Sequence, residues 1–540
     1  MKIFKLSLLF ILLNSTLALA QKAKIIPEKP KLIVGIVIDQ MRYDFLYRYF
    51  DKYSNNGFKR LMREGYNCKN NHYHYVPTYT GPGHAAIYTG SAPVINGIAG
   101  NNWYDRSAKK SVYCTEDTSV RTVGNNSKAG LMSPRNLLTT TITDQLRLSN
   151  FFESKVIGIA IKDRGSILPA GHTANAAYWN DSSTGTWITS SYYMNELPKW
   201  VQDYNAKKPS DSYLAQTWNT LFPISEYTES TIDDQPYEGQ LSGEAKPVFP
   251  HKTPKYDLLL TSPWGNTLTK NFAIAAIQNE KLGKGKVTDF LAVSFSSTDY
   301  VGHSFGPYSI ETEDTYLRLD KDLAELLSFL DNWIGKENVL VFLTADHGVA
   351  NVAAFNNDFK IPAGTFDGGK TIKALNAYLI EQLGAGKWIE SEINDQIYIN
   401  REQLKQSGIV YDKVFSTIRE FLLKQEAIAD VIDLHNLSSA YVPDYFSTMI
   451  KNGMNVKRSG DILIQLQPNW MGGSNKGTTH GSSYRYDTHV PLLWYGWKVQ
   501  AKSSSERTEI KDIAPTIADF LNILEPNGSI GNPIQGIISN

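Results

Sequence analysis

Three stretches constrain the fold of this chain more than any other feature: Lys31-Leu-Ile-Val-Gly-Ile-Val-Ile38, Asp289-Phe-Leu-Ala-Val-Ser-Phe295 and Asn338-Val-Leu-Val-Phe-Leu343. None alternates apolar with polar residues, so the strand that each predicts is buried on both faces. Lys155–Ile161 reads the same way, and Asp461–Leu466 and Val490–Tyr495 are further strand candidates. Doubly buried strands belong to a mostly parallel sheet covered by helices, which places the chain in the α/β class. The spacing predicts helices over Phe58–Glu64, Thr139–Leu148, Thr269–Leu282, Thr315–Trp333, Lys370–Leu383, Tyr411–Lys424 and Ile510–Ile523.

In open α/β sheets ligands bind beyond the carboxyl ends of the strands. The three runs deliver chemistry there. The first ends at Asp39, the second leads to Asp299 and His303, and the third to Asp346-His347-Gly. His480 follows another strand candidate in Gly477-Thr-Thr-His480-Gly. Carboxylates and imidazoles in such a set suit zinc, and these six ligands with Thr80 divide over two ions.

Thr80 lies in Pro77-Thr-Tyr-Thr-Gly-Pro-Gly-His84, whose glycines turn the backbone and whose proline suits a first helical turn. That places its hydroxyl just before a helix N-terminus, either as a nucleophile or as an ordinary N-cap. Gly97–Tyr104 reads as a loop offering the Asn101 and Asn102 amides. In Lys162-Asp-Arg164 the alternation of an extended chain puts Lys162 and Arg164 on one face and Asp163 on the other. Two cations there suit a doubly charged anion, although a Lys-x-Arg by itself is more often a solvated charged turn.

With 540 residues, 42% of them hydrophobic, the chain exceeds what one core needs, so one large domain with insertions or a few units is expected. Residues 174–262, rich in Tyr, Trp, Ser, Thr, Asn and Pro, read as an insertion roofing the sheet, and 360–470 as a second mixed region. Lys2 and Lys5, the apolar run Leu8–Leu13 and Ala18-Leu19-Ala20 read as a signal peptide over 1–20, with a mature chain from Gln21 that is periplasmic or secreted. The 54 basic and 54 acidic residues balance and form no long like-charge run, so neither nucleic acid nor a membrane is an expected partner. In an oxidising compartment the lone pair Cys68 and Cys114 predicts one disulfide, with two buried free thiols as the alternative.

The residues now carry a resemblance. Val37-Ile-Asp39, Thr78-Tyr-Thr80-Gly-Pro-Gly-His84, Gly100-Asn101, Lys162-Asp-Arg164, Ser297-Thr-Asp299, Thr344-Ala-Asp346-His347-Gly, Thr479-His480-Gly and the closing Asp512–Phe520 resemble the alkaline phosphatase superfamily. Within it they are similar to the monomeric, threonine-nucleophile phosphatases of the PafA type, from Lys31 to the C-terminus. The resemblance implies an α/β/α sandwich with a mixed, mostly parallel sheet and inserted elements over the site. It implies one zinc on Asp299, His303 and His480, and a second on Asp39, Thr80, Asp346 and His347. Asn101, Lys162 and Arg164 would contact the phosphoryl oxygens.

The implied activity is hydrolysis of small-molecule phosphate monoesters through a phosphothreonine, by a monomer of broad specificity with two zinc ions per chain. A bound zinc makes the threonine alcohol a competent nucleophile. A sulfatase would need Cys or Ser in a Cys/Ser-x-Pro-x-Arg context, which Thr80–His84 lacks. A phosphodiesterase or nucleotide pyrophosphatase would replace Lys162 and Arg164 by an apolar pocket. A phosphoglycerate mutase should lack the leading segment, and an inactive phospho-ligand-binding protein would have lost a ligand or the nucleophile.

Overall fold

In the computed structural model, which describes residues 28–473 and 475–539, a ten-stranded sheet runs through the chain. Its strands in chain order are β1 (Leu32–Ile38), β2 (Tyr66–His72), β3 (Thr122–Val123), β4 (Val156–Ala160), β5 (Ala176–Asp181), β6 (Thr186–Ser190), β7 (Asp289–Phe295), β8 (Val339–Thr344), β9 (Leu492–Gly496) and β10 (Lys502–Glu509). Their spatial order is β10-β2-β9-β8-β1-β7-β4-β5-β6-β3. The central five, β8-β1-β7-β4-β5, are parallel; β9 is antiparallel to β8 and β6 to β5. The three apolar runs are the three adjacent central strands β8, β1 and β7, each buried along its whole length. The expected signal segment lies outside the described residues.

Helices cover both faces. Six position the site: α1 (Thr80–Thr89), α2 (Asp163–Ala170), α3 (Trp264–Glu280), α4 (Ser297–Phe305), α5 (Ile310–Trp333) and α6 (Ile513–Leu521). Ile159, Val293 and Tyr178 are register partners on one face, where Tyr178 meets Phe272 of α3. Ser294 faces the other way and meets His84 of α1, with Gly165 of α2 packed against it. The architecture is thus the expected helix–sheet–helix sandwich. Gly35 in β1 shows how close the packing is. A Cβ there would come within 2.5 Å of Phe342 and of the Tyr88 hydroxyl from α1. Helix α5 begins at Ile310, earlier than its apolar pattern predicts, because Ser309 accepts the Thr312 N–H as an N-cap. No helix among the described residues is long and apolar enough to cross a membrane.

The segment read as a roof is only partly one. Its first strands, β5 and β6, extend the main sheet; their buried Tyr178, Trp179 and Trp187 pack well without the Val/Ile run that marks central strands. Further along, Trp218 and Leu241 pack on Val301 and Phe305 of α4. Residues 360–470 carry a second, four-stranded sheet of Ile389–Ile393, Gln396–Ile399, Ile462–Leu466 and Ile428–Asp433. The helices Gly368–Leu383 and Tyr411–Leu422 give it a core of its own around Leu375, Leu379, Trp388, Val414 and Ile418.

The expected disulfide is not formed: Cys68 and Cys114 are both free and buried. Cys68 belongs to the main core through β2, whereas Cys114 packs with Ala85, Ile98 and Trp103 beneath the Asn101 loop. Burial pushes both thiols up to about 12, so they behave as small apolar groups.

Candidate active site

The carboxyl ends of β1, β7 and β8 bring Asp39, Asp299, His303, Asp346 and His347 together, and the segment before β9 adds His480. Ligand atoms of Asp299, His303 and His480 all lie within 4.8 Å of one another, and so do those of Asp39, Asp299 and His347. The first group coincides with the set implied for one zinc. The second differs, taking Asp299 where Asp346 was expected. Asp346 is nonetheless adjacent, its Oδ2 3.6 Å from His347 Nε2. Asp299 and His303 stand one turn apart on α4, because the chain after β7 coils at once into a helix rather than a loop.

The three imidazoles share one arrangement. His303 Nδ1 pairs with the Thr478 carbonyl at 2.8 Å, His480 Nδ1 with that of Thr78 at 2.8 Å, and His347 Nδ1 with that of Gly348 at 2.9 Å. A carbonyl accepts only, so each Nδ1 carries the proton and each Nε2 offers its lone pair to the site. His303 Nε2 and His480 Nε2 face Asp299 Oδ1 at 3.1 and 3.7 Å, and His347 Nε2 faces Asp39 Oδ1 at 3.5 Å. Burial pushes His347 down to about 3 and His480 well below its ordinary value, which keeps both rings neutral. Burial also acts on His303, but Asp299 outweighs it and raises that ring.

Two buried carboxylate oxygens in the cluster, Asp39 Oδ1 and Asp346 Oδ2, have no hydrogen-bond partner. Burial and then the charge of Asp39 hold Asp346 well above the usual carboxylate range. Unpaired carboxylate oxygens facing imidazole lone pairs leave a site rich in donors of electron pairs. Divalent cations fit that donor set.

Thr80 is the first residue of α1; Tyr79 is the N-cap, and no side chain caps the helix. The N-cap alternative therefore falls. Thr80 is buried, its Oγ1 lying 3.4 Å from His347 Nε2 and 3.5 Å from Arg164 Nη2. Gly83 allows this placement, since a Cβ there would lie 2.3 Å from the Asp346 carbonyl. The Asn101 side-chain Oδ1 accepts the Gly81 N–H at 2.7 Å, so one N–H of the helix start is taken. The Asn101 NH2 remains as a donor with no partner among the described residues. Asn102 opens a strand, Asn102–Asp105, instead of continuing the loop.

The alternation read into Lys162-Asp-Arg164 does not hold. Lys162 is extended, but α2 begins at Asp163, so Arg164 is already helical. Lys162 Nζ pairs with Asp39 at 2.7 Å and with Asp299, because a buried ammonium requires counter-charge. Burial alone would lower its pKa; the two carboxylates outweigh that and raise it. Arg164 donates to the Tyr113 hydroxyl at 3.0 Å, and that hydroxyl donates to Asp163 at 2.7 Å. Asp163 thus braces Arg164 through Tyr113 rather than pointing away.

Gln40 is a residue that sequence reasoning missed. It takes a left-handed φ of 67°, its backbone N–H donates to Asp346 Oδ1 at 3.1 Å and its side-chain Nε2 to Asp299 Oδ1 at 2.7 Å. Its place directly after Asp39 was the available signal. Asp487 accepts the Gly481 N–H, the Ser482 N–H and the Ser482 hydroxyl, fixing the loop behind His480. His489 instead stacks on Tyr43 and His72, away from the cluster.

Comparison with known proteins agrees with this geometry. The sequence pattern of the family described as type I phosphodiesterase / nucleotide pyrophosphatase matches residues 33–491. The chain is 46% identical to alkaline phosphatase PafA of Elizabethkingia meningoseptica over 98% of both chains. It belongs to the alkaline phosphatase superfamily. A crystal structure of PafA matches with a TM-score of 0.92, covering 96% of this chain and 100% of that one. Alkaline phosphatase PhoV of Synechococcus elongatus is 45% identical over 99% of both chains. A Myroides odoratus protein described as a calcium-transporting ATPase is 51% identical over 95% of both.

Proposed function

We propose that this chain, an alkaline phosphatase by its superfamily and its full-length relatives, hydrolyses a broad range of phosphate monoesters by way of a covalent phosphothreonine at Thr80, with two zinc ions. The observation that carries the reading is the Thr80 hydroxyl: it caps nothing, and it stands between His347 and the guanidinium of Arg164. Asp299, His303 and His480 would hold one ion, and Asp39, Asp346 and His347 the other. When bound, zinc supplies Lewis acidity for alcohol activation and for charge neutralisation at phosphorus.

The rest belongs to the chain's own groups. Thr80 Oγ attacks phosphorus as its P–O bond to the leaving alcohol breaks, and water later cleaves the phosphothreonine. Arg164, braced by Tyr113, presents an N–H next to the attacking oxygen. The Asn101 amide, oriented by Gly81, donates to a phosphoryl oxygen, and Lys162 adds a second positive charge. Donors fixed in advance stabilise developing charge without reorganising.

The matched family is named for diesterases. Lys162 and Arg164 support the monoester reading, since two cations match a dianion better than a diester monoanion. The apolar run Leu8–Leu13 followed by Ala18-Leu19-Ala20 supports a periplasmic or secreted location, and the resemblance to the PafA type supports a monomer. The test compares aryl phosphate monoester and diester hydrolysis on one sample of known metal content. About two zinc per chain and a preference for the monoester are expected; a preference for the diester refutes the reading.

A further inference from the structure

The motif that carries Thr80 ends in His84, one turn further along α1, and the chemistry proposed above makes no use of it. The ring is completely buried. Its Nδ1 pairs with the Thr80 carbonyl at 2.9 Å, and its Nε2 with the Ser294 hydroxyl of β7 at 2.9 Å. A carbonyl only accepts, so Nδ1 carries a proton. Burial keeps the ring neutral, so Nε2 accepts from Ser294. The same Nδ1 lies 3.4 Å from Asp346 Oδ2, one of the two cluster oxygens without a hydrogen-bond partner. The N–H edge of one imidazole therefore faces both the main chain of the attacking residue and the carboxylate that follows β8.

The Thr80 hydroxyl itself is loosely held. It caps nothing, and its polar neighbours His347 Nε2 and Arg164 Nη2 stand at the long distances of 3.4 and 3.5 Å. Its place is set mainly by the Thr80 main chain. Gly83 lets the start of α1 close on the Asp346 backbone, where a Cβ would lie 2.3 Å from the carbonyl, and the His84 ring ties it there through a side chain. Resting on the reading of Thr80 as the nucleophile, we infer that His84 is a positioning residue for the reaction. It locks the Thr80 main chain to Asp346 and to β7, so that the attacking hydroxyl keeps its register with the expected metal ligands. A displacement of about 1 Å in a reacting group can cost about 100-fold in rate.

Two amide side chains separate this role from simple packing. Asparagine carries its amide nitrogen as many bonds from Cα as histidine carries Nδ1; glutamine carries it one bond further out, as Nε2 is. His84→Asn therefore keeps a donor toward Thr80 and Asp346 and abandons Ser294, and His84→Gln does the reverse. Glutamine is the closer to histidine in volume, so a packing role would favour it. The test measures kcat and KM for an aryl phosphate monoester, with zinc content matched across the proteins. In His84→Asn kcat should stay within about threefold of the wild type, and in His84→Gln it should fall roughly 10- to 100-fold, with KM little changed in either. Urea midpoints should rank the two variants the other way, because asparagine leaves a gap in the buried seam. Ser294→Ala, which removes only a hydroxyl on the far side of the ring, should leave kcat nearly unchanged.

Equal kcat in His84→Asn and His84→Gln, or the higher value in His84→Gln, overturns the inference. So does a loss of about tenfold or more in Ser294→Ala, which would put the work of the ring on β7 instead of on Thr80. Thr80→Ala measured alongside keeps the two readings apart. Near-parental activity there refutes the nucleophile and this inference with it, whereas its expected loss beside an adverse His84 result leaves the nucleophile reading intact.

Discussion

Replacing Gln40 by leucine tests whether one residue sets the orientation of the metal ligands. Its Nε2 donates to Asp299 Oδ1 at 2.7 Å inside a buried cluster, while its main-chain N–H serves Asp346 and survives the substitution. The change therefore deletes a single charge-assisted hydrogen bond and little else. Leucine is close in size, and Gly302 has no side chain to clash with it. Such a bond contributes about 1.5–3 kcal/mol, which is roughly 10- to 150-fold in an equilibrium constant. Partners of this kind typically change metal affinity by about 10–100-fold, which brackets the same range. Zinc affinity, measured by competition against a chromogenic chelator, should weaken by that amount for the ion on Asp299, and Gln40→Glu should not restore it because it sets a second anion beside Asp299. An affinity within twofold of the wild type for Gln40→Leu refutes the reasoning.

Thr80→Ser should keep substantial phosphatase activity and Thr80→Ala should lose several orders of magnitude in kcat/KM with an unchanged circular dichroism spectrum; near-parental activity in Thr80→Ala removes the nucleophile assignment. Lys162→Ala and Arg164→Ala should lower monoester kcat/KM roughly 10- to 10³-fold and diester kcat/KM much less, so the ratio of the two is the quantity to follow. Thiol titration of unfolded, unreduced protein should find two free cysteines, one from Cys68 and one from Cys114. His74 is buried, neither ring nitrogen has a partner, and burial depresses it to about 3. The unfolded chain therefore binds this proton first, and stability present above about pH 6.5 is lost as pH falls toward 3. His74→Leu should flatten that part of the profile, as read from urea midpoints at pH 7 and pH 5.

The residues that were legible in the sequence lie where local pattern and topology coincide. The runs before Asp39, Asp299 and Asp346 are uninterrupted because β1, β7 and β8 are central, and nothing else in the chain has to be known to place their carboxyl ends. Lys162-Asp-Arg164 was misread because strand and helix meet inside it, and alternation fails at that junction. The Cys68–Cys114 bond followed from counting cysteines, which cannot see that they lie in separate clusters. Strands β5 and β6 lacked the apolar signature because aromatic residues fill their faces instead. Gln40 was out of reach for another reason. It acts on Asp299, a partner 259 positions away.

The pairing of imidazoles with backbone carbonyls also has a consequence for biosynthesis. His303 depends on Thr478 and His480 on Thr78, partners 175 and 402 positions distant. While the ribosome has made only the first three-quarters of the chain, Asp39, Thr80, Asp299, His303, Asp346 and His347 are all present, yet His303 lacks its carbonyl and His480 does not exist. The binding centre closes only when the segment around Thr478 docks, late in synthesis. A nascent or C-terminally truncated chain can thus form much of the sheet and remain unable to assemble the complete ligand set, so that acquisition of the ions becomes a checkpoint on finished molecules.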